Sequence, residues 1–164
     1  MVQINPSAAF RRHVDSEITV AFRKVFCRLA PEEELFLLRG SVQHIYSAGE
    51  IIVEQGQPFS GIYVIVEGTA RVELDGPTGK IDIAELGRGD IFGEMSFVDD
   101  EPTSASVIAE GPVELLLIEE NVIQSLLLGD PTFGHRFYHS IAITLAQRLR
   151  KTNPKVAALA PQAH

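Results

Sequence analysis

Short runs of alternating apolar and polar residues, cut at regular intervals by glycine, fill the middle of this chain. Ile62, Val64 and Val66 alternate with Tyr63, Ile65 and Glu67, and Ala70, Val72 and Leu74 with Arg71, Glu73 and Asp75. Val42, His44 and Tyr46 interleave with Gln43, Ile45 and Ser47, and Ile81 and Ile83 with Asp82 and Ala84. A period of two places successive side chains on opposite faces of a strand. Turn residues separate the runs at Ser47-Ala48-Gly49, Gly56-Gln57-Pro58, Gly68, Asp75-Gly76-Pro77 and Gly87-Arg88-Gly89. Many short strands at this spacing predict a sandwich or jelly roll over residues 41–118.

On either side the period is helical. Asp15-Ser16-Glu17 reads as a helix start, followed by Ile18, Ala21, Phe22, Val25, Phe26 and Leu29 on one face. Pro31 opens a second helix with Glu32, Glu33 and Glu34 in its first turn, and Gly40 ends it. Beyond Ile118, Val122, Ile123, Leu126 and Leu127 predict a third helix ending at Gly129. Asp130-Pro131 caps a fourth. The expected fold is mainly β with flanking helices: a β-roll, or double-stranded jelly roll, with N-terminal helices and a C-terminal helical pair. Its expected segments are a helical stretch 1–40, the roll 41–118, helices 119–152 and a flexible tail 153–164. Along the last helix Tyr138, Ile141, Leu145 and Arg148 form a short seam suited to a homodimer, with Phe133, Phe137 and Leu149 toward the roll.

Composition narrows the function. The chain has 164 residues, enough for one domain with a proper core, and a net charge of −8. That balance argues against nucleic acid and anionic membrane as partners. Cys27 is the sole cysteine, so no intrachain disulfide forms; it falls in the amphipathic first helix, where a packed thiol is expected rather than a nucleophile. No stretch reaches the length of a membrane span and the N-terminus has no signal-type apolar core, so a cytoplasmic location is expected.

The chemistry concentrates in Phe92 to Val107, FGEMSFVDDEPTSASV. Gly93 lets backbone approach a ligand. Glu94 beside it, followed by Met95, is an acceptor suited to a sugar hydroxyl. Ser104 and the backbone around Ala105 can form a nest of donors for phosphate oxygens. This segment resembles the phosphate-binding cassette of the cyclic-nucleotide-binding domain, the family of the catabolite activator protein and the kinase A regulatory subunit. SAGEIIVEQGQP, GIYVIVEGTARVEL and ELGRGDIFGE resemble that family's β-roll. The resemblance implies Glu94 for the ribose 2′-hydroxyl and Ser104 and Ala105 for the phosphate of a cyclic nucleotide; a cyclic dinucleotide or another small ligand stays open, and no cofactor is expected. It also implies an arginine after Pro102, where this chain has Thr103. No Lys or Arg occurs between Gly89 and His135, so a replacement cation is expected only from Arg88 or Arg71.

Other constellations carry less. His135 and His139 stand four apart with no third ligand in register, and are read as an exposed or interfacial pair. Asp99-Asp100-Glu101 is a solvated loop tip, and no nucleophile, base and orienter fall into a catalytic context, so no enzyme is expected. Three classes stay open: a nucleotide sensor with weak or altered affinity, a degenerate interaction or dimerisation module of the same fold acting through a protein effector, and a DNA-binding regulator, which the acidic balance disfavours.

Overall fold

A computed structural model of the chain describes residues 2–3, 18–58 and 60–159. The helix predicted after Asp15 is present as α1 over residues 18–25; its expected start lies outside the described residues. α2 follows at Pro31–Gly40, with Pro31 in its first turn. The Glu33 carboxylate accepts the Ala30 N–H at 2.8 Å and so closes the start of α2.

Two antiparallel sheets form the roll. One has the order β1 (Val2–Gln3), β2 (Val42–Tyr46), β9 (Val113–Glu119), β4 (Gly61–Glu67) and β7 (Ile91–Phe92). The other runs β3 (Ile51–Val53), β8 (Ser106–Ala109), β5 (Ala70–Gly76) and β6 (Gly79–Leu86). The strand at Val2–Gln3, paired with His44 and Ile45 of β2, corrects the expectation of a purely helical N-terminal segment. An open sheet edge offers backbone groups to any extended segment, whatever its length.

The central strands β4 and β9 are buried on both faces, and alternation divides the core in two. Ile62, Val64, Val66, Leu116 and Ile118 face the helices. Tyr63, Ile65, Val113 and Leu115 face the interior of the roll with Phe92 and Val107. Phe22, Phe26, Phe133 and Phe137, all buried, stack where α1 meets the last helix, with Phe26 and Phe137 ring centroids 5.8 Å apart. Gly68 turns β4 into β5 at φ 88, where a Cβ would stand 2.2 Å from the Pro112 carbonyl oxygen.

α3 (Glu94–Asp99) is a helix the two-residue period could not reveal, since it is barely more than a turn and a half. α4 (Glu120–Gly129) leads to Asp130, whose carboxylate accepts the Thr132 N–H at 2.8 Å and caps α5. α5 spans Pro131–Leu159, 29 residues. The expected tail from Asn153 is therefore helical as far as Leu159; residues 160–164 lie outside the described residues. Pro154 removes one N–H from the ladder, but Lys155, Ala157, Ala158 and Leu159 are strong helix formers and the exposed Arg150 carbonyl can turn to water. α1 ends before Cys27, which is exposed in the following turn and not packed.

The expected dimer seam is corrected too. Ile141 is buried in the helix-facing core and Arg148 reaches into the roll, while Leu149 is exposed. Continuous helix fixes the reason: Phe133, Phe137 and Ile141 lie at four-residue steps, and Arg148, two turns beyond Ile141, falls on the same face.

Candidate functional site

Gly93, Glu94, Met95, Thr103, Ser104 and Ala105 all line one cavity of about 380 Å3, between the cassette, the inner face of the β3–β8–β5–β6 sheet and α5. The residues singled out from sequence therefore converge. The floor is apolar, with Val53, Val72, Ile83, Leu86 and Val107. Tyr63 and Phe92 add two parallel rings with centroids 4.7 Å apart and planes within 4°.

Gly93 sits at φ 84, and a Cβ there would stand 2.5 Å from the Gly61 carbonyl oxygen. Only glycine accepts both constraints, so the cassette backbone can lie directly on β4. Glu94 follows as the first residue of α3 and is 2 % exposed. Burial pushes its carboxyl above the usual range, against the opposing attraction of Arg148. Arg148 donates an N–H from one guanidinium nitrogen to the Glu94 carboxylate and an N–H from another to the Ile91 carbonyl. The last helix is thereby pinned to the cassette at the cavity wall. Phe97 of α3 reinforces the contact, edge-on to Phe137 at 5.6 Å and stacked near Tyr138 at 6.3 Å.

Sequence reasoning missed Arg148 because it lies over fifty residues beyond Glu94. The signal was its spacing of seven from Ile141. Arg71 is engaged elsewhere, with Glu73 at 2.8 Å and Asp82 at 3.7 Å. Neither Arg71 nor Arg88 lines the cavity.

Thr103 is built into the wall. Its hydroxyl donates to the Glu54 carbonyl at 2.6 Å and accepts the Gln57 N–H at 3.0 Å. Its own N–H donates to the Gln57 carbonyl at 3.0 Å, and its carbonyl accepts the Gly56 N–H at 2.8 Å. Gln55 extends this neutral lacework through its N–H to the Ser106 hydroxyl at 2.9 Å and its side-chain oxygen to the Asp75 N–H at 2.9 Å. Thr103 thus ties the turn after β3 to the cassette.

His135 and His139 are both exposed on α5, ring centroids 5.9 Å apart, and neither lines this cavity. Glu33 and Arg136 join α2 to α5, with Nε to Oε2 at 3.0 Å; the guanidinium holds the Glu33 carboxyl below the usual range.

Comparison with known proteins shows the family and the fold. The family model for the cyclic nucleotide-binding domain matches residues 43–130. The cAMP-dependent protein kinase type II regulatory subunit of Drosophila melanogaster is 33% identical over 121 residues, 73% of this chain and 32% of that protein. The cyclic AMP receptor protein of Thermus thermophilus is 32% identical over 130 residues, 79% of this chain and 58% of that protein. The chain thus spans less than two thirds of either relative. A crystal structure of a cyclic nucleotide-binding domain from Methylobacillus flagellatus shares the fold at a TM-score of 0.77, covering 90% of this chain and 88% of that one at 22% identity.

Proposed function

The chain belongs to the cyclic nucleotide-binding domain family, and on that premise we propose that it is a regulatory sensor domain whose affinity for cyclic nucleotides is weak or altered. The Glu94–Arg148 pair carries the reading. A ligand that engages Glu94 acts directly on the residue holding α5, so occupancy of the cavity becomes a change in the last helix. The domain catalyses nothing itself; it biases a partner. A cyclic AMP or cyclic GMP ligand would present its ribose hydroxyl to Glu94 and its phosphate toward Ser104 and Ala105. Thr103 lacks the fork that makes two charge-assisted bonds to phosphate, each worth about 1.5–3 kcal/mol, so affinity falls by roughly two to four powers of ten. Among the described residues no helix is long and apolar enough to cross a membrane. The charge balance keeps nucleic acid an unfavoured partner of this domain.

A second reading, an interaction module without nucleotide, is favoured by one observation. Ala142, Leu145, Leu149, Thr152, Val156 and Leu159 continue from Tyr138 in steps of three and four along α5. All but the half-buried Leu145 are exposed. This is a heptad seam for a second copy, rotated from the seam expected from sequence. Both readings share the dimer; they differ in whether the cavity speaks to it. Hydrogen exchange with saturating cyclic AMP, cyclic GMP or cyclic di-GMP separates them. Changed protection in 93–105 together with 142–159 supports the sensor. Unchanged exchange in both segments with all three ligands retires it in favour of the interaction module.

A further inference from the structure

We infer that the cavity accepts a neutral nucleoside at least as well as the corresponding cyclic nucleotide, so that the cyclic phosphate is no longer the recognised group. The inference rests on the reading of this cavity as a nucleotide-type site.

Three observations carry it. Among the described residues, the ionisable side chains lining the cavity are Glu54, Glu94 and Arg148, plus the Tyr63 phenol. By formal charge, two carboxylates against one guanidinium, they sum to one negative charge before any ligand enters. An added phosphodiester brings a second negative charge into a half-enclosed space and must shed its water there. The one cation among the described lining residues is already engaged, by the Glu94 carboxylate and the Ile91 carbonyl. Turning it to a phosphate would leave Glu94, 2 % exposed, without its counter-ion. Lastly, the Thr103 hydroxyl spends its single proton on the Glu54 carbonyl at 2.6 Å. It has none to give a phosphate oxygen unless the turn after β3 is released.

What the cavity retains is the complement of a nucleoside. The Glu94 carboxylate can accept ribose hydroxyl donors without displacing Arg148, because a carboxylate has about four lone-pair sites. Val72, Ile83 and Leu86 supply an apolar wall for a flat base. A volume of about 380 Å3 lies at the small end of ligand sites, which suits one nucleoside. Thr103 is then the specificity-determining residue: by replacing a cation with a hydroxyl turned to backbone, it removes the preference for the charged group and keeps the rest of the site.

Calorimetric titration of the natural protein with adenosine, guanosine, cyclic AMP and cyclic GMP tests this. The expected result is that each nucleoside, or the preferred one, binds at least as tightly as its cyclic phosphate. Thr103→Arg, checked for folding by circular dichroism, is expected to move the ratio toward the cyclic phosphate by about tenfold or more. A cyclic nucleotide binding the natural protein about tenfold tighter than its nucleoside overturns the inference and leaves the sensor reading standing. An unchanged ratio in a folded Thr103→Arg protein overturns the role given to Thr103. If neither class binds the natural protein at millimolar concentration, both the inference and the nucleotide-type reading fail together. Should Thr103→Arg not fold, the comparison on the natural protein decides alone.

Discussion

Replacing Arg148 by alanine should destabilise the domain in a way that depends on pH. The substitution leaves the Glu94 carboxylate buried without its counter-ion, and breaking such a pair ordinarily costs about 3–5 kcal/mol. Glu94 has an escape, because it can take up a proton. From an ordinary carboxyl pKa of 4.5, neutralisation at pH 7 costs about 3.4 kcal/mol, at 1.36 kcal/mol per unit. That sets the ceiling for the lost pair. The charge-assisted hydrogen bond to the Ile91 carbonyl adds about 1.5–3 kcal/mol at every pH. At pH 5 the same neutralisation costs only about 0.7 kcal/mol. The sign follows from burial, which holds the Glu94 carboxyl above its ordinary value: the protonated form is favoured in the fold, so stability is greatest at low pH and falls as pH rises above 4.5. For a domain of this length about 2–4 °C of melting temperature go with each kcal/mol. The pair's share of the loss is therefore at most about 10 °C at pH 7 and at most about 2 °C at pH 5, read from circular dichroism melts of both proteins at each pH. A loss equal at the two pH values, or none at pH 7, would refute the picture of a buried charge restrained by Arg148.

Four further outcomes are expected. His44 is buried, its Nδ1 has no hydrogen-bond partner among the described residues, and burial holds its pKa below the ordinary 6.5; stability is whole above that value and declines as pH falls through it, and urea midpoints at pH 7.5 and 5.5 should show a smaller decline in His44→Phe. Glu33→Gln should cost about 1–2 kcal/mol at pH 7 by weakening the contact with Arg136; because the native Glu33 carboxyl lies below its ordinary 4.5, that deficit shrinks as pH drops below 4.5, and a pH-independent deficit would contradict it. Gly93→Ala meets both the positive φ and the Gly61 carbonyl, so it should cost more than about 2 kcal/mol and abolish ligand binding, whereas a stable, ligand-competent variant would show that the cassette can move off β4. Leu149→Asp should leave the melting temperature of the roll intact and convert a dimer to a monomer in light scattering; a natural protein that is already monomeric at tens of micromolar, roughly the range of a weak dimer, removes the seam.

The strands were legible because alternation and glycine are local. Ile62 to Glu67 announces β4 from its own six residues, and Gly68 marks the turn because no side chain fits against Pro112. Asp130 before Pro131 announces the start of α5 for the same reason, since a cap is made within two residues. α3 was not legible: six residues are too few for a helical period to show. The end of α5 was not legible either: proline and alanine read locally as a loose tail, although only one N–H is lost and its neighbours favour helix.

For the site the division is sharper. The cassette's residue types, from Gly93 to Ala105, and the absence of an arginine at Thr103, stand in the sequence alone, because their spacing along the chain is itself the signal. What those residues do was decided by tertiary structure. Thr103 became a tie between two loops only when the turn after β3 was folded beside it. Arg148 became the cavity's cation only when α5 packed across the roll and brought it to Glu94, over fifty positions away. Charge acts through space and not along the chain, so no local pattern around Glu94 could contain its counter-ion.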